Sequence, residues 1–326
     1  MLRAAALVAL VRWANLLALA GVMGGLVTEL VVLPRDGAGL DAGRRRVRRL
    51  TFVSLVLLAA ASVTDLIARA RTMTGGGVGA SLAALPLVLG RTHFGLVWRL
   101  RAWGLVLMMI LCAVRSRSAR MAALGTMLGV MFTVALSGHA ADWGDFTPVA
   151  LVYWGHAVAA CAWGGGLLCC WWCLFREKHV PLAPADLVTV TRRFSRLAGL
   201  CICVIVLSGL ANSYVELATI PALWTSPYGR VLAAKVLLVL GTLALGATNR
   251  YRVLPALAQP VFPSEGTGES PDWDAARVLL SWYVAREVLL VIVVFGCTAL
   301  LAELPPPRHG GAAHGDMEHA MAARPR

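Results

Sequence analysis

The sequence predicts an all-α protein, a polytopic bundle of about eight transmembrane helices. Hydrophobic residues make up 59% of the 326-residue chain and charged residues only 14%. Several apolar runs reach the roughly 20 residues that a helix needs to cross a hydrocarbon core about 30 Å thick. A helix also satisfies its own backbone hydrogen bonds, which lipid cannot do. Length and composition therefore favour membrane-spanning helices over a soluble fold.

Eight segments carry this pattern. The first is too long for a secretory signal and has no small-residue cleavage pattern, so we predict that it is retained as a helix. A further stretch, Val78 to Gly90, is too short to span and contains Pro86, and we place it at the outer face of the bilayer. The predicted spans are residues 6–33, 50–70, 94–114, 119–138, 149–175, 195–219, 229–248 and 278–302.

Basic residues orient the predicted bundle, because Lys and Arg are enriched in cytoplasmic loops. They follow the first, third, fifth and seventh spans, whereas the loop after the fourth span holds Asp142 and Asp145 and no basic residue. We therefore predict a bacterial inner-membrane protein with both termini in the periplasm. The orienting residues are Arg35, Arg44, Arg45, Arg46, Arg48, Arg49, Arg115, Arg117, Arg120, Arg176, Lys178, Arg192, Arg193, Arg250, Arg252 and Arg277.

Two function classes are disfavoured. The net charge of +13 is spread over short loops rather than gathered on one face, so it predicts contact with anionic lipid and not a nucleic-acid partner. The sequence also shows no nucleotide-binding loop, no nucleophile with a base and no carboxylate pair at catalytic spacing. We therefore predict a protein that is not an enzyme.

An internal repeat organises the spans. Residues 11–26 match residues 152–167 at one tryptophan, Trp13 and Trp154, and at a Gly-Gly-Leu segment. Phe94-Gly95 with Arg101 parallels Tyr228-Gly229 with Lys235. We predict two four-helix repeats of the same orientation, residues 1–140 and 141–304, followed by a disordered tail, residues 305–326. The repeated glycines are of the kind that lets helices pack closely.

Histidine gives the sharpest chemical signal. His93, His139 and His156 all map to the outer third of the predicted bundle, and His156 replaces Asn15 of the first repeat. Imidazole is a good ligand for copper, zinc and iron. We predict a joint metal site, although each histidine alone could equally be a core side chain bonded to a carbonyl. Lys235 is expected to pair with Glu216 on the preceding helix.

The C-terminal tail carries a second cluster of metal-binding side chains. Short His-rich tracts bind metal, and thioethers favour Cu(I) over harder ions. The alternative is an inert solvated tail. The predicted ligands are His309, His314, Met317, His319 and Met321.

Most cysteines lie toward the predicted cytoplasmic side, where thiols stay reduced, so no disulfide framework is expected. Thiolates are soft Cu(I) ligands, and a path from the outer histidines through methionines to these thiols is chemically sensible. Cysteine is also a common small hydrophobe in apolar interiors, and that alternative stays open. The residues of this predicted inner copper path are Cys112, Cys169, Cys170, Cys173, Cys201 and Cys203, with Met108, Met109, Met127 and Met131 between.

Taken together, the motifs resemble the bacterial copper-resistance D family of inner-membrane proteins. The resemblance covers nearly the whole chain and is best in the second half. The motifs that carry it are Trp154-x-His156, Trp163-Gly-Gly-Gly-Leu167, Arg193-Phe-Ser-Arg-Leu197, Ser208-Gly-Leu-Ala-Asn212, Ser226-Pro-Tyr-Gly-Arg-Val-Leu232 with Lys235, Asn249-Arg250, Thr92-His-Phe-Gly95 and Ser137-Gly-His-Ala140.

The resemblance implies a copper-handling protein that moves copper, as Cu(I) or Cu(II), from periplasm to cytoplasm or supplies it to copper enzymes. Family members often carry histidine in the opening helix, where this chain has Asn15. A periplasmic carrier protein, or the tail, would deliver the ion. We expect copper to pass between the two halves. Because no ATP site is visible, this transport would be facilitated or coupled to another ion. The protein could also form a homo-oligomer.

Two rival functions remain open. Two of the outer histidines could be axial ligands of haem b in an electron-transfer protein. The protein could also be an assembly factor that donates copper to a partner enzyme without translocating it. A Soret band in the purified protein would indicate haem. Normal cellular copper uptake in a deletion strain, with lost activity of the partner enzyme, would indicate an assembly factor.

Overall fold

The structure is a computed structural model, which is mostly helical in the part of the chain that it describes and has no strand there. The described residues are 2–35, 40–75, 77–137, 144, 146–175, 182–217, 219–258 and 271–307. Eleven α-helices lie in these ranges. They are α1 (Leu2–Val27), α2 (Asp41–Thr74), α3 (Val78–Arg91), α4 (His93–Ala113), α5 (Arg117–Ala135), α6 (Pro148–Cys170), α7 (Pro184–Leu217), α8 (Ala222–Thr225), α9 (Pro227–Thr248), α10 (Leu254–Leu257) and α11 (Pro271–Leu301).

Eight helices in the described part of the chain are long and apolar enough to cross a membrane, which confirms the predicted class. Three of them, α1, α6 and α9, continue into single π-helical turns. The eight candidate spans are Val8–Val32, Asp41–Thr74, His93–Ala113, Arg117–Ala135, Pro148–Phe175, Pro184–Leu217, Pro227–Leu257 and Trp273–Leu301.

Three helices begin earlier than the hydropathy pattern predicts. Helix α2 begins at Asp41 and not at 50, 9 residues earlier; α7 begins at Pro184 and not at 195, 11 residues earlier; and α11 begins at Pro271 and not at 278, 7 residues earlier. The added turns carry charged residues, mainly arginine in α2, two arginines and one aspartate in α7, and two aspartates and one arginine in α11, so hydropathy does not register them. An acidic residue in the first turn, Asp41 in α2 and Asp186 in α7, favours a helix start there because it complements the positive end of the helix dipole.

The arginine-rich segments gather at one end of the bundle, which we call the inner end; the opposite end is the outer end. Glu29 is buried there and forms ion pairs with Arg48 at 2.7 Å and Arg120 at 3.7 Å. Arg117 and Arg193 donate to the carbonyls of residues 30 and 33, at 3.3 Å each. The arginines thus bind the C-terminal end of the first span, where backbone carbonyls lack helical partners.

Helices α1 and α6 form the centre of the bundle and pack directly on each other. A Cβ on Gly24 would overlap the backbone of Gly165, and a Cβ on Gly165 would overlap the backbone of Ala20. The repeated Gly-Gly segments therefore meet at a central seam with the backbones in contact. This seam leaves no room for a passage at the depth of Gly24 and Gly165, and the passage expected between the halves stays a prediction.

The starts of α4 and α9 have the same local geometry. Thr92 and Ser226 cap these helices by accepting hydrogen bonds from the amides of Gly95 and Gly229, each at 2.9 Å. A Cβ on either glycine would overlap the short helix that precedes it, α3 in the first case and α8 in the second. This likeness supports the predicted repeat at one point of each half. Val78–Arg91 is itself helical, with Pro86 inside the helix.

Candidate functional site

His156 lies on α6, half-buried against α7. Its Nδ1 is 2.9 Å from the hydroxyl oxygen of Ser208. The Ser208 hydroxyl already donates its proton to the carbonyl of Val204 one turn earlier. The serine oxygen can therefore accept a hydrogen bond from His156, and in that tautomer the ring proton lies on Nδ1 and the Nε2 lone pair is available to a metal. Metal-binding histidines are commonly oriented by such a second hydrogen bond.

Gly209 on α7 leaves room for the imidazole ring of His156. A Cβ built on Gly209 would be 3.5 Å from Cε1 of His156, so the ring edge lies directly against this turn of α7. Ser208 and Gly209 therefore act together, one as hydrogen-bond acceptor and the other as a flat surface. In the sequence both residues stand out only as part of the motif Ser208-Gly-Leu-Ala-Asn212, and their pairing with His156 across helices leaves no signal in the linear sequence.

Lys235 lies at the same depth as His156. Each residue comes eight positions after the proline that begins its helix, about 12 Å along the axis. Lys235 is half-buried and near enough to His156 to act on it electrostatically. A bound copper ion at His156 would therefore feel the repulsion of the ammonium group.

The predicted ion pair between Lys235 and Glu216 does not form in the described structure. Glu216 is 3% exposed and accepts a hydrogen bond from the hydroxyl of Tyr153 on α6 instead. By contrast Arg101, the first-half counterpart of Lys235, donates to Thr133 at 2.9 Å and 3.1 Å, among other contacts. The cation at this position therefore has different partners in the two halves.

A cavity of about 220 Å³ lies further toward the inner end of the second half. It is lined by residues of α6, α7, α9, α10 and α11 and is partly open to its surroundings. Trp163 and Thr242 line its outer side and follow His156 and Lys235 by seven residues each, about 10 Å along the helices. Asn249 and Glu287 line it deeper, and Asn249 donates a hydrogen bond to Glu287. Polar groups thus continue from His156 toward the inner end within the second half.

The predicted partners of His156 are only partly described. His93 is exposed at the start of α4, which packs on α2, α3 and α5, whereas His156 faces α7. His139 lies outside the described residues, as do the predicted tail ligands His309, His314, Met317, His319 and Met321. Among the side chains that are described, no group of three or more His, Cys, Asp or Glu could hold a metal. The three-histidine site remains a prediction.

The inner cysteines have different environments. Cys169, Cys170 and Cys173 are completely buried where α6 becomes a π-helical turn, and Cys201 is 6% exposed on α7. Cys112 is half-buried, and Cys203 lies on an exposed face. Met108, Met127 and Met131 are buried in the core, on α4 and α5 of the first half. The described side chains do not join into a metal cluster, and the thiol path remains a prediction.

The fold and this half-buried polar site define a polytopic α-helical membrane protein whose second half carries an inward-leading line of polar groups. A family model described as "Copper resistance protein D-like, N-terminal domain" matches residues 1–147, and one described as "Copper resistance protein D" matches residues 188–301. Because the two models together span most of the chain, the protein belongs to the copper resistance protein D family. His156 falls between the two matched segments, whereas Ser208, Lys235 and Glu287 fall within the second.

Two curated relatives share this similarity. Copper transport protein CutJ of Bacillus subtilis is 28% identical over 214 residues, 63% of this chain and 39% of the relative. Inner membrane protein YebZ of Escherichia coli is 27% identical over 155 residues, 46% of this chain and 47% of the relative. The matched part of the chain thus spans less than half of either relative. No solved structure matches the chain.

Proposed function

We propose that the protein binds copper at His156 and moves it from the periplasmic side toward the cytoplasm. The observation that carries the proposal is the hydrogen bond from His156 Nδ1 to Ser208, which leaves Nε2 free to bind a metal. Imidazole is a ligand for both copper oxidation states. The name of the relative CutJ, copper transport protein, supports a copper cargo.

His156 alone cannot hold copper tightly, because Cu(I) needs at least one further ligand. His139 and the His/Met tail are predicted on the same outer side and supply imidazole and thioether donors of the right softness. We propose that the tail, or a periplasmic carrier protein, delivers the ion to His156. Both termini then face the periplasm of the inner membrane, as the distribution of arginines predicts.

The route that the geometry favours runs inside the second half. From His156 it passes Trp163 and Thr242 and reaches the cavity between α6, α7, α9 and α11. This proposal replaces the route between the halves, where the seam of Gly24 and Gly165 leaves no space. The buried thiols at the end of α6 are then a side site near the inner end and not an obligatory part of the route.

Binding is tested first, by competition with a chromophoric Cu(I) chelator on detergent-purified protein. We expect His156→Ala to weaken Cu(I) binding at least about tenfold, since one ligand of a two- or three-ligand site is lost. The matched control is Asn15→Ala, which changes the corresponding position of the first repeat and should leave affinity unchanged. Equal affinity of wild type and His156→Ala would contradict the proposal, and a Soret band would favour haem instead.

Transport is tested in proteoliposomes that contain a trapped Cu(I) indicator. Wild type should show protein-dependent entry of copper, and His156→Ala should reduce the rate. Tight binding without entry, together with normal copper uptake in a deletion strain and lost activity of a copper enzyme, would instead assign the protein as an assembly factor.

A further inference from the structure

We infer that Glu287 is a proton-binding site in the inner cavity, and that it exchanges its proton for the charge of a passing copper ion. The claim that Glu287 carries a proton rests on the geometry of the cavity alone. The claim that this proton is exchanged for copper rests on the proposed function, because it requires copper to follow the proposed route.

Glu287 is 4% exposed on α11 and lines the cavity of about 220 Å³. In the described structure no Lys, Arg or His nitrogen lies within 4 Å of its carboxylate, unlike Glu29, which has two arginine partners. An ionised carboxylate in a membrane interior is costly without a counter-charge. Glu287 therefore needs either a proton or a bound cation.

Asn249 indicates which of the two Glu287 carries. Its Nδ2 donates to Oε1 of Glu287, while its own Oδ1 is buried without a hydrogen-bond partner. A carboxylate has no proton to offer that oxygen, whereas a protonated carboxyl group can donate to Oδ1 and accept from Nδ2 at once. Protonation of Glu287 thus satisfies an amide oxygen that is otherwise left unsatisfied, a state that buried polar groups rarely adopt.

Among the other groups that line the cavity, Arg250 carries a positive charge, but it forms no ion pair with Glu287 in the described structure. On α6 the lining residue is Trp163, and on α7 the polar lining residues are Thr191 and Ser195, none of which titrates. Arg250 and Tyr251 are the titratable neighbours from the end of α9, and Arg250 donates to Ser195 at 3.2 Å. Arg286, next to Glu287 on α11, is exposed and lies over the ring of Trp282.

The cavity gives the proton a path. Its volume has room for several water molecules, at about 30 Å³ each, and Ser195, Asn249 and Arg250 are among the polar groups of a mostly apolar lining. Arg250 and Ser195 lie on the side near the arginine-rich inner end, and the proposed path brings water to the carboxyl group from this side. Oxygen donors of this kind suit a proton or a hard cation better than they suit Cu(I), which prefers sulfur.

The exchange balances in charge and atoms. When a Cu⁺ ion enters the cavity, the O–H bond of Glu287 breaks, the proton passes to cavity water, and the carboxylate offsets the charge of the ion. When copper leaves toward the cytoplasm, the carboxylate takes a proton from a hydronium ion and the O–H bond forms again. Glu287 thereby keeps the cavity neutral in both states.

The first test needs no copper. Infrared spectra of the purified full-length protein at neutral pH, in H₂O and in D₂O, report the deuterium-sensitive carbonyl stretch of protonated carboxyl groups. We expect a band in wild type that Glu287→Gln removes and that the control Glu303→Gln retains, because Glu303 is solvated and paired with Arg12. Asn249→Ala should shift the band by removing its hydrogen bond. A wild-type spectrum without a band that depends on Glu287 would overturn the inference, whether or not copper binds at His156.

The second test adds saturating Cu(I) and measures the band and the release of protons with a pH dye. We expect the Glu287 band of wild type to weaken when copper binds. We also expect wild type to release about one more proton per protein than Glu287→Gln does. An unchanged band at full copper loading would overturn the exchange. Failure of the proposed function is seen separately, as unaltered Cu(I) affinity in His156→Ala.

Discussion

Gly24 of α1 and Gly165 of α6 are in backbone contact, and neither position has room for a Cβ. The two helices come from corresponding positions of the predicted repeats, so the seam joins the halves at their most similar segments. Small residues at such crossings allow the van der Waals packing that holds membrane helices together. The seam therefore acts as the rigid centre of the bundle.

Substituting the seam should destabilise the protein. We expect Gly165→Ala to lower the free energy of unfolding by about 1–3 kcal/mol, since the added methyl group forces the helices apart. The control is Gly129→Ala on α5, where a Cβ meets nothing within 4 Å; it should be neutral or stabilising by up to about 1 kcal/mol. Thermal unfolding in one detergent measures both. Equal melting temperatures would show that the seam is looser than described.

Removing the acceptor of His156 should weaken copper binding indirectly. We expect Ser208→Ala to reduce Cu(I) affinity about 10- to 100-fold, the usual cost of losing an outer-shell partner of a metal ligand. Ser208→Thr keeps the hydroxyl and should recover most of the affinity. Ser213→Ala serves as control, because its hydroxyl bonds the carbonyl of Gly209 on the same helix and not the imidazole. Competition titration against a chelator distinguishes them.

Neutralising Lys235 should have the opposite effect. Its ammonium group repels a copper ion bound at His156, so we expect Lys235→Gln to raise Cu(I) affinity by roughly threefold or more. Lys235→Arg, which keeps the charge, should leave affinity near that of wild type. A loss of affinity in Lys235→Gln would indicate instead that the lysine holds the site in shape.

The inner ion-pair cluster should contribute measurably to stability. Glu29→Gln leaves Arg120, which is 4% exposed, without its carboxylate. Unpairing a buried charge costs about 3–5 kcal/mol, and the partial exposure of Arg48 reduces the expected loss to about 2 kcal/mol. Glu303→Gln, whose partner Arg12 is solvated, should cost less than about 1 kcal/mol. Chemical unfolding in mixed micelles compares the two, and similar losses would contradict this assignment.

Much of the fold was predictable because hydropathy follows directly from residue type. Eight apolar runs predicted the eight candidate spans, and the errors fell at their ends, mostly at helix starts; the seventh span also runs on to Leu257 beyond the predicted end at 248. The starts of α2, α7 and α11 were missed because turns that carry charged residues can be helical without being apolar. Helix termini depend on capping and solvation, which a hydropathy pattern does not measure.

The candidate site was predictable only in its parts. His156, Glu216, Lys235, Asn249 and Glu287 all stand out as polar residues in apolar segments. Their pairing was not predictable: the expected partner of Glu216 was Lys235, whereas the hydroxyl of Tyr153 binds it. Which residues meet depends on the rotation of each helix about its axis, and packing between helices sets that rotation.

Composition and local motifs were enough to predict a polytopic helical membrane protein and its likeness to the copper resistance protein D family, because neither depends on distances between helices. Three contacts are visible only in the folded bundle: Gly24 meets Gly165 at the seam, Ser208 orients His156, and Asn249 meets Glu287 at a cavity. Each of these contacts joins residues on different helices, and only the packing of those helices brings them together.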